Sequence, residues 1–170
     1  ELFGGRVSRN FGALNEHGLI LSNNPYAFDH YGFSATGDKY KYSFYTSRLN
    51  DLEAEDIQGE SIPIGEIQHS RRYWAIQRLD VKLGPNAQLG LTEATLYGGP
   101  DQTFVAAYLN PVQFFYASQR NQGIQMNGFW QINLFLKPFD NTGIFVDLFA
   151  DDIIVNNEPG IDDRAVHPDR

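Results

Sequence analysis

The chain has 170 residues and a formal net charge of −8, from 13 Lys and Arg against 21 Asp and Glu. That length supports one domain with a real core. The 14% aromatic content excludes a disordered chain, the acidic balance argues against a nucleic-acid binder, and the absence of cysteine excludes disulfide scaffolds, thiol catalysis and cysteine-ligated metals. Mean hydropathy is −0.39. No apolar run approaches the roughly 18 residues of a membrane helix, whereas membrane β-strands alternate and escape such a count.

In chain order, Phe3 to Phe11 reads as a first strand, and Gly18 to Ser22 is a short apolar run of uncertain role. Tyr26 to Ala35 and Tyr40 to Arg48 form a predicted strand pair joined by Gly37-Asp38-Lys39, with Tyr40, Tyr42 and Phe44 on one face. Asn50 to Ser70 carries six carboxylates and no Lys or Arg, and Pro63 interrupts it. It reads as a long acidic loop with at most one helical turn. Arg72 to Tyr97 reads as a hairpin: Leu79, Val81 and Leu83 alternate with Arg78, Asp80 and Lys82, Gly84-Pro85-Asn86 turns the chain, and Leu89 to Tyr97 returns. Asn110 followed by Pro111 suits the start of a helix over Val112 to Ser118, against which a strand remains open.

The clearest strand is Gly123 to Pro138. Ile124, Met126, Trp130, Ile132, Leu134 and Leu136 fall on one face, and Gln125, Asn127, Gln131 and Asn133 on the other. After the turn Phe139-Asp140-Asn141-Thr142, Ile144, Val146, Leu148 and Ala150 alternate with Phe145, Asp147, Phe149 and Asp151. Residues 156–170 read as a polar loop or linker, and residues 1–155 as the strand-bearing body.

Two architectures produce this alternation. In a soluble sandwich or barrel the aliphatic face is the core; in an outer-membrane barrel it meets lipid and the polar face lines the lumen. The long run at Gly123 to Pro138, the sustained rows of Gln, Asn and Asp, and aromatic clusters near predicted strand ends favour the membrane barrel. The expectation is an all-β, antiparallel up-and-down transmembrane β-barrel with at most one short helix. Its lipid-facing set would be Ile124, Met126, Trp130, Ile132, Leu134, Leu136, Ile144, Val146 and Leu148, and its lumen set Gln125, Asn127, Gln131, Asn133, Asp147 and Asp151.

An ordered set of short signals runs along the chain: Gly5-Arg6 with Phe11-Gly12, Leu21-Ser22-Asn23-Asn24-Pro25 with Asp29-His30, Arg72-Tyr73-Trp74-Ala75, Glu93 with Tyr97-Gly98, Tyr108-Leu109-Asn110-Pro111, Gln119 and Asn121, and Asp147 with Asp151-Asp152. From Gly4 to Ile154 this order resembles the middle and later part of the Wzi-like capsule-assembly family of bacterial outer-membrane β-barrels. The resemblance implies a large barrel, plugged or lined inside, in the bacterial outer membrane. It also implies an outward face that binds or helps assemble capsular polysaccharide without catalysis. Its partners would be surface polysaccharide, outer-membrane lipid and other envelope proteins. The chain departs from such a barrel in having only seven to nine strand candidates, about half the number required, so it is expected to be a piece of a larger barrel.

No residue pattern calls for catalysis, a metal or a cofactor. Asp147 and Asp151 sit about 13 Å apart by strand rise, wider than glycosidase carboxylate pairs. His17, His30, His69 and His167 lack metal-ligand spacing, Asp29-His30 suits a turn or lumen hydrogen bond, and the serines lack a nucleophile elbow. Aromatic rings are natural platforms for the C–H faces of sugars. The candidate polysaccharide-binding residues are therefore Tyr73, Trp74, Phe114, Phe115 and Tyr116, with Arg72 and Gln119. Arg71 and Arg72 also suit acidic sugar or lipid phosphate, or an ion pair with Glu93. A porin-like channel, a barrel subunit of a larger envelope complex, and a soluble secreted carbohydrate-binding β-sandwich are the alternative functions.

Overall fold

The computed structural model describes residues 1–11, 18–21, 27–52, 70–100, 102–122 and 126–151. They form one antiparallel sheet of seven strands in strict sequence order: β1 (Leu2–Val7), β2 (Phe28–Thr36), β3 (Tyr40–Leu52), β4 (Ser70–Gly84), β5 (Ala87–Pro100), β6 (Asn127–Phe139) and β7 (Thr142–Asp151). The predicted up-and-down all-β order is present, with one short helix, α1 (Phe115–Gln122). The sheet is open: β1 and β7 are its two edges and do not pair with each other.

Strands β3 to β6 are 13, 15, 14 and 13 residues long, against about 5–6 in ordinary globular sheets and about 9–11 needed to cross a bilayer. The three predicted turns are where the sequence puts them. Residues 37–39 join β2 to β3, Pro85-Asn86 joins β4 to β5, and Asp140-Asn141 joins β6 to β7. Asn141 takes φ 62°, a left-handed conformation that its short polar side chain tolerates. The other three connections are long: residues 8–27, 53–69 and 101–126. All short turns therefore lie at one end of the sheet and all long connections at the other.

Alternation assigns the two faces. On β6 and β7 the pairs Trp130↔Ala150, Ile132↔Leu148, Leu134↔Val146 and Leu136↔Ile144 share one face, and Gln131↔Phe149, Asn133↔Asp147 and Phe135↔Phe145 the other. Carried across the register, the aliphatic face also holds Tyr42, Phe44, Tyr73, Ala75, Leu91, Glu93 and Tyr97. The polar face holds His30, Ser43, Tyr45, Ile76, Arg78, Asp80, Thr92 and Ala94.

The predicted helix is present but begins later than Asn110 and Pro111 imply. Asn110 Oδ1 accepts the Val112 N–H at 3.1 Å, closing a local turn instead of capping a helix. A 3₁₀ turn at Ala106–Leu109 precedes it, and α1 starts at Phe115, whose side chain is fully buried. This segment lies on the aliphatic face at the long-connection end. There Tyr108 and Phe115 join Phe44, Tyr73, Ala75 and Tyr97 in one cluster. Tyr97 lies 4.7 Å from Tyr108 by ring centroids, and Tyr73 stacks on Tyr97 at 5.4 Å. Burial pushes the Tyr108 phenol up to about 12. A second cluster on the polar face joins Phe11, Tyr45, Ile76 and Ala94, and the Phe11–Leu21 bridge brings the Leu19–Leu21 run over it. Most of the acidic stretch Asn50 to Ser70, and residues 156–170, lie outside the described residues.

Candidate functional site

The predicted polysaccharide-binding residues gather at the long-connection end, but the sheet divides them. Arg72 and Trp74 are on the polar face and Tyr73 between them is on the aliphatic face, as strand alternation requires. Tyr73 is buried, stacked on Tyr97 and met edge-on by Phe104 at 5.5 Å. Trp74 is half-buried, with Phe28 edge-on at 5.5 Å. Phe115 sits inside the cluster under α1, whereas Phe114 is 63% exposed and lies parallel to Trp130 at 6.2 Å. Tyr116 is half-buried, and the Gln119 side chain lies outside the described residues. Phe114 is thus the ring of this set that offers an open face to a ligand.

Glu93 does not meet Arg72. The register places Glu93 opposite Gln77 and Arg72 opposite Gly98, five positions away and on the other face. Glu93 is buried and accepts Gln77 Nε2 at 2.5 Å and the Tyr116 N–H at 3.2 Å. Gln77 Nε2 also donates to the Gln113 carbonyl at 3.2 Å, and Tyr42 donates to Gln77 Oε1 at 2.9 Å. This carboxylate therefore fastens the start of α1 to the sheet, because burying it requires that its oxygens be satisfied.

On the polar face the predicted lumen residues form hydrogen-bonded groups. Gln131 Nε2 donates to both oxygens of Asp147, at 2.9 and 2.8 Å. Arg78 Nη1 donates to Asn133 Oδ1 at 2.5 Å and to Thr92 Oγ1 at 2.8 Å, while its Nη2 holds Asp80 at 2.7 Å. Gly90 faces this guanidinium, and a Cβ there would collide with it. Asn127 and Asp151 are exposed on the same face. Of the predicted lipid-facing set, Met126 is half-buried beside Thr95, and Trp130, Ile132, Leu134, Leu136, Ile144, Val146 and Leu148 share the aliphatic face. Gln125 and Ile124 lie outside the described residues.

His30, in β2, is fully buried. Its Nδ1 lies 3.0 Å from the Phe28 carbonyl and its Nε2 faces Arg9 Nε, an arrangement that fits a neutral ring donating from Nδ1 and accepting at Nε2. Arg9 lies 3.9 Å over the Tyr45 ring and 4.4 Å over Phe3. The Asp29-His30 pair is thus split by the strand: Asp29 turns outward to Arg6 at 2.7 Å while His30 turns inward.

One feature of the site has no counterpart in the sequence reading. A cavity of about 900 Å³ opens on the polar face at the short-turn end, bounded by Arg9, Lys39, Lys41, Arg78, Lys82 and Asp80 among others. Its cations are scattered in sequence; only the β3–β4 and β4–β5 registers, which set Lys41 opposite Asp80 and Lys82 opposite Gln88, bring them together. Among the described residues no cluster of His, Asp or Glu is arranged to hold a metal ion. No helix among them is long and apolar enough to cross a membrane, which says nothing about strands. No family model matches the chain, and neither a curated protein nor a solved structure matches it.

Proposed function

We propose that this chain is a stretch of a bacterial outer-membrane β-barrel that binds, tethers or helps assemble surface polysaccharide without catalysis. The observation that carries the membrane part is an inversion of exposure. Gln131 and Asn133 are 1% and 2% exposed, while their neighbours on the aliphatic face, Ile132 and Leu148, are 46% and 60% exposed. Water rewards the opposite arrangement; lipid outside and a hydrogen-bonded interior reward this one. The aliphatic positions Ile144 to Ala150 on β7 extend about 20 Å along the strand, near the roughly 25 Å apolar band of such barrels.

The segregation of short turns from long connections supports the same reading, since outer-membrane barrels keep short turns on the inner side and long loops outside. On that orientation Arg72, Trp74, Phe114 and Tyr116 lie toward the cell exterior, where surface glycan is met. The free edges of β1 and β7 cannot face lipid unpaired, so the barrel requires further strands.

A soluble carbohydrate-binding sandwich has one observation in its favour: α1 and the 3₁₀ turn already cover part of the aliphatic face with protein. Reconstitution separates the two. The membrane reading expects the full-length protein to need detergent and to enter liposomes; a monodisperse, detergent-free protein that ignores vesicles removes it. The glycan part expects capsule-type polysaccharide to bind, and Trp74→Ala or Tyr116→Ala to weaken it. A flat titration of the unaltered protein removes that part.

A further inference from the structure

We infer that the cavity at the short-turn end of the polar face is a binding site for an acidic saccharide, one bearing carboxylate or phosphate groups. This rests on the polysaccharide reading; on the orientation proposed above the cavity is at the inner end of the lumen, so the saccharide it meets is one on its way outward and not glycan already at the surface. The protein as a whole is acidic, yet this cavity gathers Arg9, Lys39, Lys41, Arg78 and Lys82 around one carboxylate, Asp80. Asp80 is engaged by Arg78 at 2.7 Å. Lys39, Lys41 and Lys82 are exposed and, among the described residues, no carboxylate pairs with them. Arg9 is held by aromatic rings and His30, and among the described residues no carboxylate pairs with it. A concave wall lined by one sign of charge focuses its field and raises the local concentration of a counter-charged ligand.

Two further features point to a sugar rather than a bare anion. The wall contributed by β6 and β7 is aromatic: Phe135 and Phe145 lie 4.8 Å apart by ring centroids on the polar face, and Phe145 is 41% exposed. Cations on one side and ring faces on the other match the acidic substituents and C–H faces of a sugar acid. Second, Asn133 lines the cavity and its Nδ2 has no hydrogen-bond partner, although the residue is 98% buried. A buried amide left without an acceptor is costly, and a small shift that opened this amide to the cavity would let a ligand hydroxyl or carboxylate supply one. The volume lies within the range of small-ligand pockets.

The test uses the full-length protein in detergent with three probes: an oligogalacturonate, a neutral malto-oligosaccharide of the same length, and inorganic phosphate. The expected result is that the oligogalacturonate binds, weakens as salt is raised, and loses about tenfold or more in affinity in the triple variant Lys39→Gln, Lys41→Gln, Lys82→Gln. The corresponding triple Arg variant should keep binding, which separates charge from damage to the fold. If both saccharides bind equally and the Gln variant is unaffected, the acidic-saccharide site is overturned while the glycan function survives. If phosphate alone competes as strongly as the oligomer, the site takes a small anion and the inference falls. If neither saccharide binds, this site is overturned, while the glycan function stands or falls on the capsule-type titration above.

Discussion

The aliphatic face of this sheet has two halves that the same alternation built and that end in different surroundings. Toward the long connections, Tyr73, Ala75 and Tyr97 are covered by Tyr108 and Phe115 and reach 8% exposure or less. Toward the short turns and β7, Ile132, Ile144, Val146 and Leu148 stay 40–60% exposed. The covered half is also the one with polar groups, Gln77 and Glu93, and these bind the covering segment. The uncovered half is aliphatic at these positions, with the Tyr40 ring at its short-turn margin. Where the chain supplies its own cover it provides hydrogen-bond anchors for it; where it supplies none, the face is suited to a medium that needs no anchors.

The largest expected effect is on the covered half. Phe115 is fully buried and centres the contact between α1 and the sheet. Phe115→Ala should cost about 3–5 kcal/mol, read as a lower midpoint in denaturant unfolding. A shift no larger than that of an exposed substitution would mean that the segment does not sit on this face.

Next comes the uncovered half, where the medium decides the outcome. Leu148→Arg should cost about 2–4 kcal/mol if the side chain meets the middle of a bilayer, measured as folding into liposomes. In a soluble protein an exposed Leu→Arg change moves stability within about 0.5 kcal/mol. The two results do not overlap, so this substitution decides whether the halves differ in environment or only in cover.

A smaller effect is expected on the opposite face. Asn133→Ala removes the acceptor of Arg78 Nη1 in a buried setting, with Thr92 Oγ1 left as that nitrogen's partner. The cost should be about 1–3 kcal/mol by the same unfolding measurement. An unchanged midpoint would show that water replaces Asn133 readily and that the polar face is wet there.

The strands and turns were legible because period-two alternation and turn residues are local signals. Ile124 to Leu136 needs no partner to reveal its period, and Asp140-Asn141 marks its own turn. Seven strands and their order follow from such signals. The site was less legible for two reasons. Tyr73 and Trp74 look like one aromatic patch in sequence, but adjacent strand residues point to opposite faces, and the cover on one of them comes from residues 30 or more positions away. The cationic cavity is a product of register: Lys41 and Lys82 acquire a common site only when the β3–β4 and β4–β5 pairings align the three strands. The Lys39-Tyr40-Lys41 turn and the Lys82 flank carry the local part of that signal, and the pairing of β3 with β4 across a long connection carries the rest. Glu93 shows the same limit: an ion pair with Arg71 or Arg72, on the other arm of the same hairpin, was the expectation, and the carboxylate found its partners across the strand and in α1 instead.

The smallest expected effect tests whether charge on this sheet contributes where it is fully solvated. Arg6 donates to Asp29 through both Nε, at 3.1 Å, and Nη2, at 2.7 Å, a two-pronged geometry that would be strong if dry. Both side chains are about two-thirds exposed, however, at 65% and 66%. Water and salt then screen the attraction, and ordering two long side chains consumes much of what remains. Arg6→Ala should leave the unfolding midpoint unchanged within error, at low and at high salt alike. A clear loss that persists at high salt would mean that the pair is shielded from water in the assembled protein, and hence that further chain packs against the β1 edge.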